Sequence, residues 1–124
     1  MTPKSIFDIE ENLVAAFSYL LGPLSGIFVL VMERENKLVR FHALQSTLWF
    51  LMLMVAGWVL TAVGGLLGWI PLIGTLVNLV LGLVGGLISL VYIVSKVYLI
   101  YKAYQSDMYK VPIIGEAVWK QINK

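Results

Sequence analysis

The residues best suited to chemistry form one stripe at the start of a long apolar run. The charged stretch ERENKLVR, residues 33–40, comes directly before it. At helical spacings of i, i+3, i+4 and i+7, the stripe then contains His42, Gln45, Ser46 and Trp49. With Arg40 nearby, the imidazole could exchange a proton near neutral pH in a polar site at the membrane edge that binds a partner or lipid. Alternatively, these side chains lie at headgroup depth and hydrogen-bond to loop backbone or lipid.

Groups needed for catalysis or metal binding are missing from the apolar part of the chain. Residues 41–95 contain no charged side chain, so no pair of carboxylates can act there as acid and base. The sequence has no cysteine and one histidine, which excludes thiolate chemistry and a multi-histidine metal cage. The net charge of +2, carried by scattered lysines, argues against a nucleic-acid partner. We therefore expect a protein without enzymatic activity and without a cofactor.

The composition indicates a lipid environment. With 60% hydrophobic residues, 13% charged residues and a mean hydropathy of +0.88, the 124-residue chain has more apolar surface than a soluble domain of this size can bury. Because about 20 apolar residues cross the roughly 30 Å hydrocarbon core, we predict spans over about 13–32, 42–63 and 72–98. The sequence GGLLGWIPLIG, residues 64–74, breaks the long uncharged run. The prediction is an all-α integral membrane protein with three transmembrane helices in a single membrane domain.

Positive charges are distributed unequally between the two sides of such a protein. The loop over residues 33–41 and the C-terminal tail fall on one side, whereas the N-terminus and the 64–74 turn fall on the other. The first side carries Arg34, Lys37, Arg40, Lys102, Lys110, Lys120 and Lys124, and the second side carries Lys4. By the positive-inside rule, this distribution predicts a cytoplasmic C-terminus and an N-terminus outside.

Aromatic and basic residues mark the expected membrane surfaces. After the third span, residues 111–123 predict an amphipathic helix that lies in the interface, with a structureless basic tail as the alternative. Trp69 is expected to anchor the turn between the second and third spans, and Lys96 to extend toward the headgroups. The remaining interfacial anchors are Tyr98, Tyr101, Tyr104 and Trp119.

Small or polar residues four apart run along each predicted span. They are Ser18, Gly22 and Gly26 in the first span, Gly57, Thr61 and Gly65 in the second, and Gly74, Asn78, Gly82 and Gly86 in the third. Such ladders let helix backbones approach closely, either within the chain or between copies of it. Chance is the third explanation, because glycine is common in membrane helices. Asn78 is expected to form a hydrogen bond between helices.

Two sequence strings resemble those of a known group of membrane proteins. ENKLVRFHALQS, residues 35–46, and VPIIGE, residues 111–116, are similar to strings in small prokaryotic membrane proteins of unknown function related to the chloroplast inner-envelope import component family. The resemblance covers nearly the whole chain. It implies an α-helical protein of a prokaryotic cytoplasmic membrane with a role in or beside protein translocation. The plant import proteins have four spans, whereas this sequence predicts three.

The sequence supports two functional hypotheses. The first is a non-enzymatic membrane component that packs with copies of itself or with another membrane protein, as part of a transport or translocation assembly. The second is a membrane-organising protein whose basic cytoplasmic loop and amphipathic tail contact lipid, anionic lipid included, or recruit a partner. The expected partners are therefore membrane lipids and either a second copy or another membrane protein.

Overall fold

The computed structural model describes residues 9–123, which form five helices. They are α1 Glu11–Phe17, α2 Pro23–Met32, α3 Lys37–Leu67, α4 Ile73–Tyr104 and α5 Gly115–Ile122. Contacts within the chain define two units. Of the described residues, unit 1 contains 9–51 and 95–123, and unit 2 contains 52–94. The predicted all-α fold is confirmed for this part of the chain, whereas Lys4 and Lys124, used in the charge argument, lie outside it.

Helices α3 and α4 are each long enough to cross a membrane. Their 31 and 32 residues correspond to about 46 and 48 Å, compared with roughly 30 Å for a hydrocarbon core. Both are strongly apolar, and the most apolar stretch of α4 has none of its residues buried inside the protein. The second and third predicted spans therefore coincide with two candidate membrane helices.

The first predicted span, residues 13–32, is not a single helix. It consists of α1 and α2, which have 7 and 10 residues and are separated by an irregular turn at residues 18–22. Gly22 closes that turn with a φ of 65°, and Pro23 occupies the first turn of α2, where its missing N–H costs no hydrogen bond. At about 10 and 15 Å, neither helix crosses the bilayer, so three transmembrane helices are not confirmed.

Helices α1 and α2 and the turn between them form a hairpin alongside α3, which we call the N-terminal hairpin. At the beginning of α3, Asn36 Nδ2 donates to Glu11 Oε1, at the start of α1, at 2.9 Å. Further along α3, Ser46 Oγ donates to Gly22 O, in the turn, at 3.1 Å. Helix α2 then ends at Met32, close in sequence to the start of α3. The hairpin therefore enters and leaves beside the same end of α3.

In unit 2, a tight turn over residues 68–72 joins α3 to α4. Asn78 Nδ2 donates to Gly64 O at 3.3 Å, which ties α4 to the last turns of α3, and to Gly74 O within α4 at 3.0 Å. A Cβ atom at Gly64 would lie 2.6 Å from Asn78 Oδ1, so a larger residue at this position would require the Asn78 side chain to move.

Helix α5 is shorter than the predicted 111–123 helix, and its apolar face contacts the protein. Val118 is fully buried, and the Trp119 ring packs edge-on against Phe41 with centroids 6.2 Å apart. The apolar face of α5, expected to contact lipid, is therefore covered by other residues of unit 1. The sequence pattern shows that the face is apolar, but it does not show what covers that face.

We expect Gly26→Leu to destabilise unit 1, because a Cβ atom at this position would lie 2.7 Å from Thr47 Oγ1 and 2.9 Å from Ala43 O. Forcing α2 away from α3 should cost about 1–3 kcal/mol and lower the unfolding temperature in detergent. Gly65→Leu is the matched control, since a Cβ atom there meets no atom of residues 9–123 within 4 Å. Equal melting of the two variants would contradict close packing of α2 against α3.

Candidate functional site

Unit 1 contains a cluster of buried polar side chains between the N-terminal hairpin and the first half of α3. Each has a relative exposure of 2% or less. We call this cluster the buried polar network, and its members are Ser18, Tyr19, Ser25, His42, Gln45 and Ser46. A buried polar group is costly unless it is hydrogen-bonded. The partners of each side chain therefore determine what the network can do.

Two serine hydroxyls complete the hydrogen bonding of the turn between α1 and α2. Ser46 Oγ donates toward Ser18 O and Gly22 O, at 2.5 and 3.1 Å. Ser25 Oγ donates to Ser18 O at 3.0 Å and accepts from Leu21 N–H at 3.0 Å. A backbone that leaves the helix would otherwise expose unpaired polar groups to lipid. The serines supply partners at the point where the chain reverses direction.

A chain of hydrogen bonds fixes the tautomer of His42. Gln45 Nε2 donates to Tyr19 Oη at 2.8 Å, so the phenol accepts this bond and its own proton points to His42 Nδ1 at 2.7 Å. The other ring nitrogen, Nε2, then carries the imidazole proton and donates to Asp107 O at 2.9 Å. The pattern assigns a neutral His42 with the proton on Nε2.

The same two side chains on α3 hold the irregular segment at residues 107–111. Besides the bond from His42 to Asp107 O, Gln45 Nε2 donates to Tyr109 O at 2.8 Å. Gln45 Oε1 accepts from Val111 N–H at 3.0 Å. One amide side chain therefore pairs with a backbone acceptor and a backbone donor two residues apart, as a neighbouring strand would.

Arg40, just before the polar stripe, and Trp49, at its end, bind other parts of unit 1. Arg40 Nη1 donates to Glu33 O at 2.6 Å and to Leu30 O at 3.3 Å, which pairs the last carbonyls of α2 with a cation. Trp49 Nε1 donates to Ser95 Oγ at 3.0 Å. The structure thus brings His42, Gln45 and Ser46 together and places Arg40 at the end of α2.

The network has little free capacity for acid–base or metal chemistry. Both ring nitrogens of His42 and both polar atoms of the Gln45 amide have partners within the protein. Within the described part of the chain, no group of three or more His, Cys, Asp or Glu side chains is placed to hold a metal ion. The arrangement is suited to holding the hairpin, α3 and residues 107–111 together.

The predicted packing residues differ in their surroundings. Gly22 and Gly26 lie against other residues of unit 1, and Asn78 bonds across unit 2. At the remaining four positions, a Cβ atom would meet no atom of the described residues within 4 Å outside its own stretch of helix, and these are Gly57, Gly65, Gly82 and Gly86. Packing within the chain therefore accounts for the first group and leaves the second unexplained.

The predicted interfacial anchors also separate into two groups. Trp69 is 76% exposed, and three tyrosines on α4 are exposed as well, namely Tyr98, Tyr101 and Tyr104. Lys96 is half-buried. Trp119 packs against Phe41, and Lys110 Nζ lies 4.9 Å from the centroid of its ring. Trp119 thus joins α5 to unit 1, whereas the exposed aromatic residues are free to meet lipid headgroups.

Tyr19 and Ser25 are members of the network that the sequence pattern does not single out. Each is one polar residue within an apolar run, and such a residue is equally compatible with a continuous spanning helix. The available signal is the Gly22-Pro23 pair between them, which marks a break in the helix. A break inside an apolar segment requires polar side chains nearby.

These features define a helical integral membrane protein in which two long apolar helices accompany a short hairpin held by a buried polar network. The model of the magnetosome magnetite crystal formation protein family matches residues 10–118. The chain belongs to this family.

Relatives from archaea match along most of the chain. A UPF0132 membrane protein from Archaeoglobus fulgidus is 43% identical over 115 residues, covering 92% of this chain and 97% of that protein. Two UPF0132 membrane proteins from Methanocaldococcus jannaschii are 31% and 32% identical, covering 91% and 87% of this chain and 89% and 67% of their own lengths. No solved structure matches the chain. These matches support a membrane protein, and they do not show a link to chloroplast import or to transport.

We expect Gln45→Leu to release residues 107–111 from α3. Leucine has a similar volume, but it leaves Tyr109 O and Val111 N–H without their side-chain partner, at about 1–3 kcal/mol for each buried group. Backbone amide exchange over 107–111, measured by mass spectrometry in nanodiscs, should accelerate. Gln105→Leu is the control, because Gln105 is exposed and its Nε2 donates to the Tyr101 hydroxyl. Unchanged protection in Gln45→Leu would mean that other contacts hold the segment.

Proposed function

We propose that the chain is a non-enzymatic integral membrane protein that forms a dimer through an open groove in unit 2. The groove lies between residues 53–61 of α3 and residues 78–93 of α4 and has a volume of about 740 Å³. Small residues line it on both helices, among them Gly57, Thr61, Gly82 and Gly85. A Cβ atom at any of these three glycines would meet no atom of the described chain within 4 Å.

Glycines at these positions lower the stability of the helices, and contacts within the chain do not offset that loss. A glycine inside a helix is less favourable than alanine by about 1 kcal/mol. In membranes this cost is offset where another backbone approaches closely and packs against the flattened helix face. Helix α3 or α4 of a second copy, which has the same glycines, provides such a backbone. A two-fold arrangement in which the two grooves face each other gives a closed dimer.

Membrane organisation through lipid contact is the second candidate function. It is favoured by the exposed aromatic residues Trp69, Tyr101 and Tyr104 and by the basic residues at the start of α3. In that case the groove holds lipid chains, and the protein is a monomer. The open glycine positions favour the dimer, because lipid chains can pack against larger side chains as well as against glycine.

The dimer is tested by filling the groove. Gly57→Leu combined with Gly82→Leu should convert a wild-type dimer to a monomer, as measured by light scattering in mild detergent and by photobleaching steps of labelled protein in bilayers. The control is Gly65→Leu combined with Gly86→Leu, because these open glycines do not line the groove. A monomeric wild type, or a groove variant that remains dimeric, would refute the proposed interface.

The proposed topology has both ends of the described chain on the cytoplasmic side. It replaces the predicted outside location of the N-terminus, because the N-terminal hairpin enters and leaves beside the same end of α3. With α3 and α4 as the spans, the loop before α3 and the segment after α4 share this side. The loop before α3 carries Arg34, the first turns of α3 carry Lys37 and Arg40, and the segment after α4 carries Lys110 and Lys120, whereas the turn at 68–72 has no charged residue. The positive-inside rule favours this arrangement.

Cysteine labelling tests this topology cleanly, because the chain has no cysteine of its own. We expect Glu10→Cys and Asn123→Cys to react with a membrane-impermeant maleimide only after permeabilisation. Thr75→Cys, next to the 68–72 turn, should react in intact cells. Reaction of Glu10→Cys in intact cells would show that the N-terminus is outside. It would contradict an N-terminal hairpin that enters and leaves on the cytoplasmic side.

A further inference from the structure

Residues 107–122 form a second hairpin in unit 1, which we call the C-terminal hairpin. Its first arm is the irregular segment at 107–111, its second arm is α5, and residues 112–114 form its tip. Lys110 and Gly115 approach closely at the base of the tip, where a Cβ atom at Gly115 would lie 2.5 Å from Lys110 Cβ. This contact closes the two arms against each other.

The contacts along α3 give the direction of the C-terminal hairpin. Asp107 O meets His42, whereas Tyr109 O and Val111 N–H meet Gln45, one turn further from the charged start of α3. The first arm therefore runs from the membrane surface toward the bilayer interior. On the second arm, Trp119 meets Phe41, so α5 returns toward the surface.

The tip consequently lies deeper than any other part of this hairpin. Gln45 follows Arg40 by five residues, which corresponds to a rise of about 7.5 Å along the helix. Pro112 and Ile113 directly follow Val111, whose N–H is bonded to Gln45, and they form the turn before α5. Groups at depths of about 5–10 Å below the surface lie at the boundary between headgroups and acyl chains.

Ile113 is presented outward in a conformation that isoleucine rarely adopts. Its φ is 82°, and Ile114 N–H donates to Pro112 O across it at 3.0 Å, which makes a γ-turn with positive φ. For a β-branched residue this backbone is strained and persists only when the surroundings impose it. Nevertheless, Ile113 is 82% exposed and gains little packing from the protein. Neither the strain nor the exposure would favour isoleucine at a turn in water.

We propose that the C-terminal hairpin is a re-entrant membrane element whose tip, Pro112 and Ile113, inserts among the lipid acyl chains of the leaflet that it enters. Insertion removes the exposed isoleucine from water, which offsets the strained backbone. It also explains why α5 uses its apolar face to pack on unit 1, since the tip rather than the helix face meets lipid.

The charged residues near the tip are paired, as insertion requires. Lys110 Nζ forms an ion pair with Glu116 Oε1 at 3.0 Å, and the same Nζ lies over the Trp119 ring. Lys110 thereby points along α5 toward the surface, with its charge neutralised by its partner. Lys120 is one turn beyond Glu116, further from the tip.

A turn with the same hydrogen bonds occurs in unit 2, within the uncharged segment that joins α3 to α4. The segment IPLIG, residues 70–74, corresponds to VPIIG, residues 111–115. Leu72 has a φ of 66° and is 75% exposed, and Ile73 N–H donates to Pro71 O at 2.7 Å. In both turns the glycine N–H donates to the carbonyl four residues earlier. A turn that presents one aliphatic side chain is thus used twice, and in unit 2 it directly joins two candidate membrane helices.

Spin labels measure the depth of the tip directly. Labels on Ile113→Cys and on Gln121→Cys, an exposed position on α5, are compared in vesicles of phosphatidylcholine and phosphatidylglycerol. We expect the ratio of collisions with oxygen to collisions with a water-soluble nickel chelate to be severalfold higher at 113 than at 121. Equal ratios, or a label at 113 shielded from both reagents by protein, would refute insertion.

Insertion of the tip can also be tested without a label, by a substitution that is compatible with positive φ but is not apolar. Asparagine tolerates positive φ better than isoleucine, so if the tip lay in water, Ile113→Asn would leave the hairpin unchanged or more stable. In lipid, it should weaken the hairpin and accelerate amide exchange in α5 severalfold, because an amide replaces the apolar tip. Ser106→Asn is the control, since Ser106 also has positive φ, at 60°, and is exposed and polar. Unchanged or slower exchange in Ile113→Asn would overturn the proposal.

Discussion

A polypeptide inside a lipid bilayer must pair every backbone N–H and C=O within the protein, and the structure depends on how this constraint is met where helices stop. The break at residues 18–22 and the irregular segment at 107–111 both leave backbone groups without helical partners. One stretch of α3 supplies those partners from its side chains. Ser46 forms hydrogen bonds with backbone carbonyls of the first break, whereas His42 and Gln45 form hydrogen bonds with the backbone of the second segment. Helix α3 is therefore both a candidate span and the support for two non-spanning hairpins.

The neutrality of the network follows from the same constraint. Tyr19, His42 and Gln45 form a chain in which each donor has an acceptor and no group needs a charge. A charged imidazole in this position would place a second proton between His42 and Tyr19, and the phenol proton would lose its acceptor. Charged side chains are instead found near the start of α3, where Arg40 pairs with the carbonyls at the end of α2. The neutral side chains of the network and the charged Arg40 thus bind different parts of the N-terminal hairpin.

Unit 2 meets the constraint differently, because it consists of two long helices joined by a short turn. Asn78 bonds to carbonyls on either side of that turn, at Gly64 and Gly74. Little side-chain packing is then available between α3 and α4, and the groove with its open glycines results. Close approach of helices in membranes relies on small residues, which is why the proposed dimer uses these open glycines. In unit 1, by contrast, Gly26 is covered by α3.

The sequence by itself determined the class of protein, the helical content and the two long apolar helices, because these depend on composition and on runs of apolar residues. It also identified His42, Gln45 and Ser46 as one face of a helix, since helical spacing is a local property. It did not determine that residues 13–32 form a hairpin, because an apolar run of 20 residues suits both one span and two short helices. Only the tertiary structure decided this, through hydrogen bonds between Ser46 and a turn more than 20 residues away. It likewise decided that α5 packs on Phe41, because an apolar face has the same pattern whether lipid or protein covers it.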